Sequence, residues 1–307
     1  MKNKKIIFMG TPIIAAKHLK LLFEKKYNIV AVFSQPPRKK SRGMRTQESA
    51  VHKLALEKKI NFYCPNSFDD ITLKQINLLE PDLIIVMAYG KILPVNLLNL
   101  PKYGCINIHV SLLPRWRGAA PIEYALLNGD KETGVSIIKL EKKLDSGPII
   151  LQKKITISDD IYKDKLESIL TDLGCNSLIE VLPYIFENKT KMLIQNEKLA
   201  TYASKFTPEE RKINFNQSSG KVYNHIRAHG PYPGSWFVYK GDRIKIITAK
   251  KGLLKGTPSK ILNGFFEIGC KEGSILPILV QKEGKQIISI KEFLKGYNFK
   301  IGDKINA

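Results

Sequence analysis

One uninterrupted apolar run constrains the fold more than any other feature of the chain. It reads Leu83-Ile84-Ile85-Val86-Met87-Ala88 and is introduced by Pro81-Asp82. Six residues are the length of a strand and far too few to span a bilayer. A strand that is apolar on both faces is typical of the centre of a parallel sheet, because helices cover both sides of such a sheet. The chain is therefore predicted to contain an α/β domain.

Further strands and helices alternate around this run. Helices are predicted after Pro12, near 48–59 and near 69–79, and a long amphipathic helix over about 161–186. This alternation predicts right-handed crossovers and a doubly wound, Rossmann-like sheet. Thr11 is predicted to cap the first helix, with Pro12 in its first turn. The predicted strands are Ile6–Phe8, Ile29–Phe33, Asn61–Tyr63, Leu83–Ala88, Cys105–Val110, Gly134–Leu140 and Pro148–Ile157.

The C-terminal third has a different texture. The polar, aperiodic stretch before it predicts a division into an N-terminal domain at 1–188, a linker at 189–206 and a second domain at 207–307. Short β-rich runs separated by glycines predict that the second domain is a small, OB-like barrel. These runs are Ser235–Tyr239, Arg243–Lys250, Gly264–Gly269, Ser274–Val280 and Gln286–Ile290.

The net charge of +22 is unevenly distributed. Residues 207–307 carry 18 basic and 8 acidic side chains, whereas the first 206 carry 32 and 20. A basic C-terminal module is typical of a domain that binds a polyanion such as a nucleic acid. The plainer alternative is that many of the lysines lie on ordinary solvated faces.

The remaining composition indicates a soluble, reduced, cytoplasmic protein without a membrane partner. The hydrophobic fraction is 43%, and the first residues lead directly into a strand without a signal-peptide pattern. Four scattered cysteines without a CxxC pair or a Cys/His cluster argue against a disulfide framework and against a metal site. They are Cys64, Cys105, Cys175 and Cys270.

Asn107, His109 and Asp145 are the candidate chemical groups. Asn107 and His109 are two residues apart on a predicted strand, so they point to the same face, and Pro114 ends the run shortly afterwards. A carboxamide and an imidazole can donate to an oxyanion or move a proton. Asp145, in Leu144-Asp145-Ser146-Gly147-Pro148, could hold the imidazole in place. The alternative is a structural histidine, a strand-end asparagine and a simple turn.

With these residues in view, the chain resembles the folate-dependent formyltransferases over essentially its whole length. The run from Asn107 to Pro121 is the most specific part of the match, whereas Gly-Thr-Pro alone would be weak. The matching segments indicate the branch of that superfamily that acts on charged tRNA. They are Gly10-Thr11-Pro12, Ala88–Pro94, Asn107–Pro121, Gly129–Val135 and Leu144–Gly147.

The resemblance implies transfer of a formyl group from 10-formyltetrahydrofolate, a co-substrate, to the methionyl α-amine of charged initiator tRNA. The family's catalytic trio falls on Asn107, His109 and Asp145. No metal is implied, and a monomer is expected. The residues implied to bind folate are Ser111, Leu112, Leu113 and Pro114 of the family signature, together with Met87, Tyr89, Gly90 and Ile92.

The physical roles of the trio agree with that reaction. Asn107 and a protonated His109 would donate to the oxyanion, and Asp145 would orient the imidazole. Which group carries each proton stays open. A Ser-His-Asp hydrolase is excluded because Ser111 lies in no nucleophile elbow.

A basic segment, Arg38-Lys39-Lys40-Ser41-Arg42-Gly43-Met44-Arg45, is predicted to be a loop. In the family, an insertion here contacts the tRNA acceptor stem, which implies tRNA contacts for its five cations. Arg42 is the strongest candidate, either for a phosphate or for a weakly paired stem end. The alternative is a solvated loop. Further candidates for RNA contact in the second domain are His225, Arg227, His229 and Tyr232.

The chain departs from the family at Ile13 and Ile14, which replace an acidic residue and a phenylalanine, and in lacking a proline before Val51. Competing functions remain within the superfamily, namely formyl transfer to glycinamide ribonucleotide or to a sugar amine, and hydrolysis of formyltetrahydrofolate. Outside it, the alternative is an RNA-binding protein that has lost catalysis, which the intact trio disfavours.

Overall fold

The computed structural model describes residues 3–40 and 45–305. Among these residues, the strands in chain order are β1 (Ile6–Gly10), β2 (Ile29–Phe33), β3 (Arg38–Lys40), β4 (Arg45–Gln47), β5 (Phe62–Tyr63), β6 (Leu83–Met87), β7 (Cys105–His109), β8 (Arg117–Gly118), β9 (Glu132–Lys139), β10 (Ile149–Thr156), β11 (Tyr202–Ala203), β12 (Ser235–Tyr239), β13 (Asp242–Gly252), β14 (Ile268–Gly269), β15 (Ser274–Lys282) and β16 (Ile288–Ser289).

Helices connect many of these strands. They are α1 (Ile13–Glu24), α2 (Ala50–Glu57), α3 (Asp70–Leu78), α4 (Val95–Leu98), α5 (Pro121–Leu127), α6 (Lys163–Phe186), α7 (Ser219–His229) and α8 (Ile290–Lys295), with short 3-10 helices at Glu197–Leu199 and Glu209–Arg211.

The elements group into two units, each assembled from separate stretches of sequence. The first comprises Met1–Pro121, Thr133–Ile155 and Ser168–Ala203, and the second comprises Ile122–Glu132, Thr156–Glu167 and Ser204–Ala307. The division at 1–188, 189–206 and 207–307 stays a prediction.

The first unit is built on a seven-stranded sheet with the order β10-β9-β7-β6-β1-β2-β5. The apolar run β6 lies in its middle and pairs in parallel with both β1 and β7. All five residues of β6 are buried, as expected for a strand covered on both faces. Strand β9 then pairs antiparallel with β7. The prediction of a Rossmann-like, doubly wound sheet is confirmed.

The start of α1 differs from the prediction. Its N-cap is Pro12, and no side chain caps it. The Thr11 hydroxyl donates instead to the Tyr89 carbonyl at 3.1 Å and accepts from the Gln35 amide at 3.4 Å. Thr11 therefore ties together the segments that follow β1, β2 and β6, a role that a local capping pattern cannot reveal.

The basic segment also differs from the predicted loop. Its flanks form a two-stranded antiparallel hairpin, in which Arg38 pairs with Gln47 and Lys40 pairs with Arg45. Arg42, between the two strands in the sequence, lies outside the described residues.

The second unit contains a five-stranded antiparallel sheet with the path β12-β13-β15-β14, and β16 pairs with β15. The sheet is curled around an apolar core that includes Phe215, Phe237 and Phe266. Helix α7 begins with a Ser218 side chain that accepts from the Lys221 amide. The predicted fold class, a doubly wound α/β domain followed by a smaller β-rich domain, is confirmed.

Two of the RNA contacts predicted in helix α7 are not supported by the structure. Arg227 and His229 are buried, and the Arg227 guanidinium donates to the Ser158 carbonyl at 3.1 Å. These side chains are packed inside the second unit instead of facing a ligand at its surface. Tyr232 is 79% exposed and stays available for such a contact.

Burial of His229 makes the second unit sensitive to acid. Burial, together with the positive charges of neighbouring side chains, lowers the pKa of His229 to about 3. Between the ordinary histidine pKa and that value, the unfolded chain takes up a proton that the folded chain does not bind, so stability falls as pH falls. At about pH 5 this costs about 2 kcal/mol.

We therefore expect His229→Phe to lose less thermal stability than the wild type between about pH 7.5 and about pH 5. Melting temperatures measured at both pH values check this. Parallel losses in the two proteins would show that His229 does not set the acid response.

Helix α6 is long and apolar enough to cross a membrane by length and composition, and half of its most apolar window is buried. Buried core helices of soluble proteins meet the same criteria, so this feature is weak support for a membrane span.

Candidate active site

Strand β7 brings Asn107 and His109 to one face at its carboxyl end. Asn107 lies between Val86 of β6 and Ile138 of β9, and His109 is paired with Ser136 of β9. Both side chains are buried. The period of the strand predicted this shared face, and the sheet holds the two groups on a rigid support.

Asp145 reaches the same place from the loop after β9. Its Oδ2 atom lies 3.6 Å from His109 Nδ1, and its Oδ1 atom accepts from Asn107 Nδ2 at 3.4 Å. The Gly118 amide donates to Oδ2 at 2.9 Å. The predicted trio is therefore assembled, with a buried carboxylate facing three donor groups.

The second nitrogen of His109 determines where the imidazole carries its proton. His109 Nε2 lies 2.8 Å from the Trp116 carbonyl oxygen. A carbonyl can only accept, so Nε2 carries a hydrogen and donates it. Nδ1, which faces Asp145, is then the nitrogen that gains or loses a proton.

Three residues that are not glycine adopt left-handed backbone conformations around this site. They are Ala88 (φ +47°), Trp116 (φ +61°) and Asp145 (φ +47°). Such conformations are uncommon for residues with a Cβ atom, and they concentrate at functional sites.

A cavity of about 460 Å³ opens beside the trio. Asn107, His109 and Asp145 line it, together with apolar side chains of β6, β7 and the segments that follow them. Four residues predicted to bind folate also line it, namely Met87, Tyr89, Gly90 and Ile92. The volume and the apolar walls with a few convergent polar groups are typical of a small-molecule site.

The other predicted folate residues, Ser111 to Pro114, are not among the residues that line this cavity. They form the turn that follows β7. Ser136 Oγ donates to the Ser111 carbonyl and accepts from the Leu113 amide, and Gln152 donates to the Leu113 carbonyl at 3.0 Å. Their contact with folate stays a prediction.

Among the described residues, no group of His, Cys, Asp and Glu side chains could hold a metal ion. The four cysteines are free, and burial raises the pKa of the Cys105 thiol to about 12. The residues predicted to contact tRNA lie on the hairpin, with Arg38, Lys39 and Lys40 in β3 and Arg45 in β4.

Two buried polar residues near the trio were not predicted from the sequence. Arg117 donates to Gln195 and to Glu197, and Gln195 donates to the backbone carbonyls of Asp145 and Gly147. Arg117 lies within the quoted Asn107–Pro121 run, but no spacing pattern connects it with Gln195 or Glu197, nearly 80 residues away.

Comparison with known families covers both parts of the chain. The model of the family described as "Formyl transferase" matches residues 4–182, and that of the "Formyl transferase, C-terminal domain" matches residues 205–298.

Known proteins with similar sequences align over nearly the whole chain. The methionyl-tRNA formyltransferase of Pelagibacter ubique is 40% identical and covers 99% of each chain. That of a Wolbachia species is 42% identical over 95% of this chain and 96% of the relative.

Solved structures share the fold at lower identity. An N-formyltransferase from Helicobacter canadensis, solved with folinic acid and dTDP-3-aminofucose, superposes with a TM-score of 0.70 at 22% identity, over 91% of this chain and 99% of the other. HypX from Aquifex aeolicus, solved with tetrahydrofolic acid, gives 0.66 at 17% identity over 94% of this chain, which spans 46% of HypX. Since the family model matches more than half of the chain and full-length relatives are about 40% identical, the chain belongs to the formyl transferase family, among the methionyl-tRNA formyltransferases.

Proposed function

We propose that this protein transfers the formyl group of 10-formyltetrahydrofolate to the α-amino group of methionyl-initiator tRNA. The observation that carries the proposal is the buried Asn107–His109–Asp145 cluster at the edge of a cavity of about 460 Å³. The relatives that align over the full length bear the name of this activity.

Formyl transfer requires donors for a developing negative charge. When the amine attacks the formyl carbon, a C–N bond forms and the carbonyl oxygen becomes an oxyanion. Asn107 presents an amide N–H, and His109 presents Nδ1, which donates when it carries a proton, from the same strand face. Donors held in place in this way stabilise an oxyanion without reorganisation. Because β6 and β9 hold β7 on both sides, these donors are preorganised.

The reaction must also move protons. The attacking amine loses one as its bond forms, and N10 of the folate gains one as the old C–N bond breaks. His109 Nδ1 is the nitrogen available for this exchange, because Nε2 is engaged by the Trp116 carbonyl. The Asp145 carboxylate lies 3.6 Å from this nitrogen and orients the ring.

The walls of the cavity suit a flat, amphipathic ring. The chain folds back after β6 through Ala88 and Gly90, both with positive φ, so backbone groups from Met87 to Ile92 edge the cavity. Backbone donors and acceptors beside apolar side chains fit the polar edge and apolar faces of a pterin.

We further propose that the charged initiator tRNA is bound through the basic hairpin and the basic C-terminal residues 207–307, by a cytoplasmic monomer. Residues 207–307 carry 18 basic against 8 acidic side chains. Contacts of cations with phosphates are sequence-independent and weaken as salt rises.

The proposal is tested by transfer of labelled formyl from 10-formyltetrahydrofolate to methionyl-initiator tRNA. Elongator methionyl-tRNA, glycinamide ribonucleotide and an amino-sugar nucleotide serve as competing acceptors. We expect transfer to the initiator alone. Transfer to a small acceptor, or to none, would contradict the proposed function and leave the assignment of the fold unchanged.

Arg42→Ala is expected to reduce discrimination between initiator and elongator tRNA while leaving the KM for folate nearly unchanged. The physical reason is that Arg42 belongs, in the sequence, to the basic segment between β3 and β4, and a cation of that segment can contact the acceptor stem. The ratio of kcat/KM for the two tRNAs measures the effect, with the exposed Lys198→Ala as a charge-matched control. A change confined to the KM for folate would contradict this placement.

A further inference from the structure

We propose that Gln195, anchored by Arg117, is a positioning residue that holds the backbone of Asp145 so that its carboxylate faces His109. The inference deepens the proposed function and rests on it, because it assumes that Asp145 acts in formyl transfer.

The contacts of Gln195 use both ends of its amide. The side-chain nitrogen donates to the Asp145 carbonyl at 2.8 Å and to the Gly147 carbonyl at 2.7 Å. The side-chain oxygen accepts from Arg117 Nε at 3.1 Å and from Nη2 at 2.8 Å. A single side chain therefore connects a guanidinium to two carbonyls of the loop that carries Asp145.

Because Arg117 and Gln195 are buried, the loss of any of these hydrogen bonds would cost stability. Arg117 is fully buried and Gln195 is 7% exposed. Hydrogen bonds in such surroundings are strong, and a donor or acceptor left without its partner is costly. The network therefore holds one geometry.

The loop needs such support because its backbone is unusual. Asp145 has a φ of +47°, a conformation that costs energy for a residue with a Cβ atom. At Gly147 a Cβ atom would lie 1.8 Å from the Lys139 carbonyl oxygen, so only glycine fits there. Gln195 binds the carbonyl of each of these two residues and thereby fixes the turn that aims the carboxylate.

Gln195 is itself fixed, because the segment around it is held at both ends. Leu193 pairs with Ile149 of β10, and the two residues exchange backbone hydrogen bonds of 2.8 Å. Further along, β11 pairs in parallel with β8, and the Arg117 amide donates to the Thr201 carbonyl. Leu193, Gln195 and Thr201 belong to the predicted linker at 189–206, and this segment packs against the first unit beside the trio.

The charged side chains around Gln195 form ion pairs with one another and do not depend on Gln195 for a partner. Arg117 pairs with Glu197 at 2.7 Å, and Glu197 also pairs with Lys143. Hydrogen bonds from Arg117 and Lys143 lower the pKa of Glu197 to about 2, so this carboxylate stays charged at neutral pH. The other titratable groups nearby are Asp145, His109 beyond it, and Tyr202 beside Arg117.

Two substitutions separate positioning from simple stabilisation. Gln195→Met keeps the length of the side chain and removes all four hydrogen bonds. Gln195→Glu keeps an acceptor for Arg117 and places a second oxygen against the carbonyls of Asp145 and Gly147. A purely structural role would be served by the retained pair with Arg117, whereas positioning requires the lost donor.

We expect both variants to lower single-turnover formyl transfer about 10- to 100-fold, as displacement of a catalytic group by about 1 Å does. The KM for folate and for tRNA should change less than about 3-fold, because neither substrate needs Gln195 for binding. Gln195→Glu should keep the pair with Arg117 but lower the melting temperature, because the carbonyls of Asp145 and Gly147 lose their donor. The kcat of each variant is therefore measured below its unfolding transition. Lys198→Ala, exposed on the same segment, should leave kcat unchanged.

A double-mutant cycle supplies the decisive readout. If Gln195 acts through Asp145, Gln195→Met should lower kcat less than about 2-fold in an Asp145→Ala background, because the group that it positions is gone. Additive losses would overturn the proposal, as would wild-type kcat in Gln195→Glu. Failure of the wild type to formylate methionyl-tRNA would instead reject the proposed function, so the two failures are distinguishable.

Discussion

Replacement of His109 by alanine is expected to lower the rate of formyl transfer by about 100-fold or more, the size of effect for a lost oxyanion donor or proton carrier. His109 Nδ1 is the nitrogen of the trio that can exchange a proton, because Nε2 donates to the Trp116 carbonyl and Nδ1 faces Asp145. Asn107→Ala, which removes the other donor on the same strand face, is expected to cause a loss of similar size. Single-turnover transfer at saturating folate and tRNA measures both.

Binding supplies the control for this pair of variants. Both side chains line the cavity, but the wall proposed to hold the pterin is formed by Met87 to Ile92, so folate affinity should stay close to that of the wild type. Near-wild-type turnover in either variant would remove that residue from the trio. A large loss of folate affinity with unchanged kcat would reassign it to substrate binding.

Asp145→Asn is expected to lower kcat by about 100-fold while preserving the volume of the side chain. A carboxylate can accept from the Gly118 amide, the Asn107 amide and His109 Nδ1 together. An amide has one oxygen, so its nitrogen must face one of these donors. The substitution also removes the negative charge that lies 3.6 Å from Nδ1.

The matched control is Asp172→Asn, which neutralises an exposed carboxylate on α6. It should leave turnover unchanged. Melting temperatures should show that Asp145→Asn remains folded. If Asp145→Asn kept wild-type turnover while Asp145→Ala lost it, the carboxylate charge would be irrelevant and only the shape of the side chain would matter.

The sequence was sufficient for the features whose signals are local. The continuous apolar character of β6 predicted its central place, and the period of β7 predicted that Asn107 and His109 share a face. Asp145 was reached only through the resemblance to a known family, because Asp-Ser-Gly-Pro by itself predicts a turn.

The features that were missed depend on contacts between distant residues. Thr11 carries the chemistry of a helix cap, yet its hydroxyl donates to the carbonyl of Tyr89, 78 residues away. Gln195 lies in a stretch without apolar periodicity, and only the folded chain shows that it is buried against Arg117. A hydrogen bond between distant segments involves a single residue from each of them. It therefore leaves no repeating pattern in the sequence from which it could be predicted.

The left-handed backbone conformations of Ala88, Trp116 and Asp145 limit which substitutions can stabilise the protein without lowering its activity. Each costs roughly 1 kcal/mol that a glycine would not incur. Glycine substitutions at Ala88 or Trp116 would relieve torsional strain, but each would loosen the wall or the carbonyl that holds His109. A search for heat-tolerant variants should therefore find its gains away from this pocket, where rigidity and turnover do not compete.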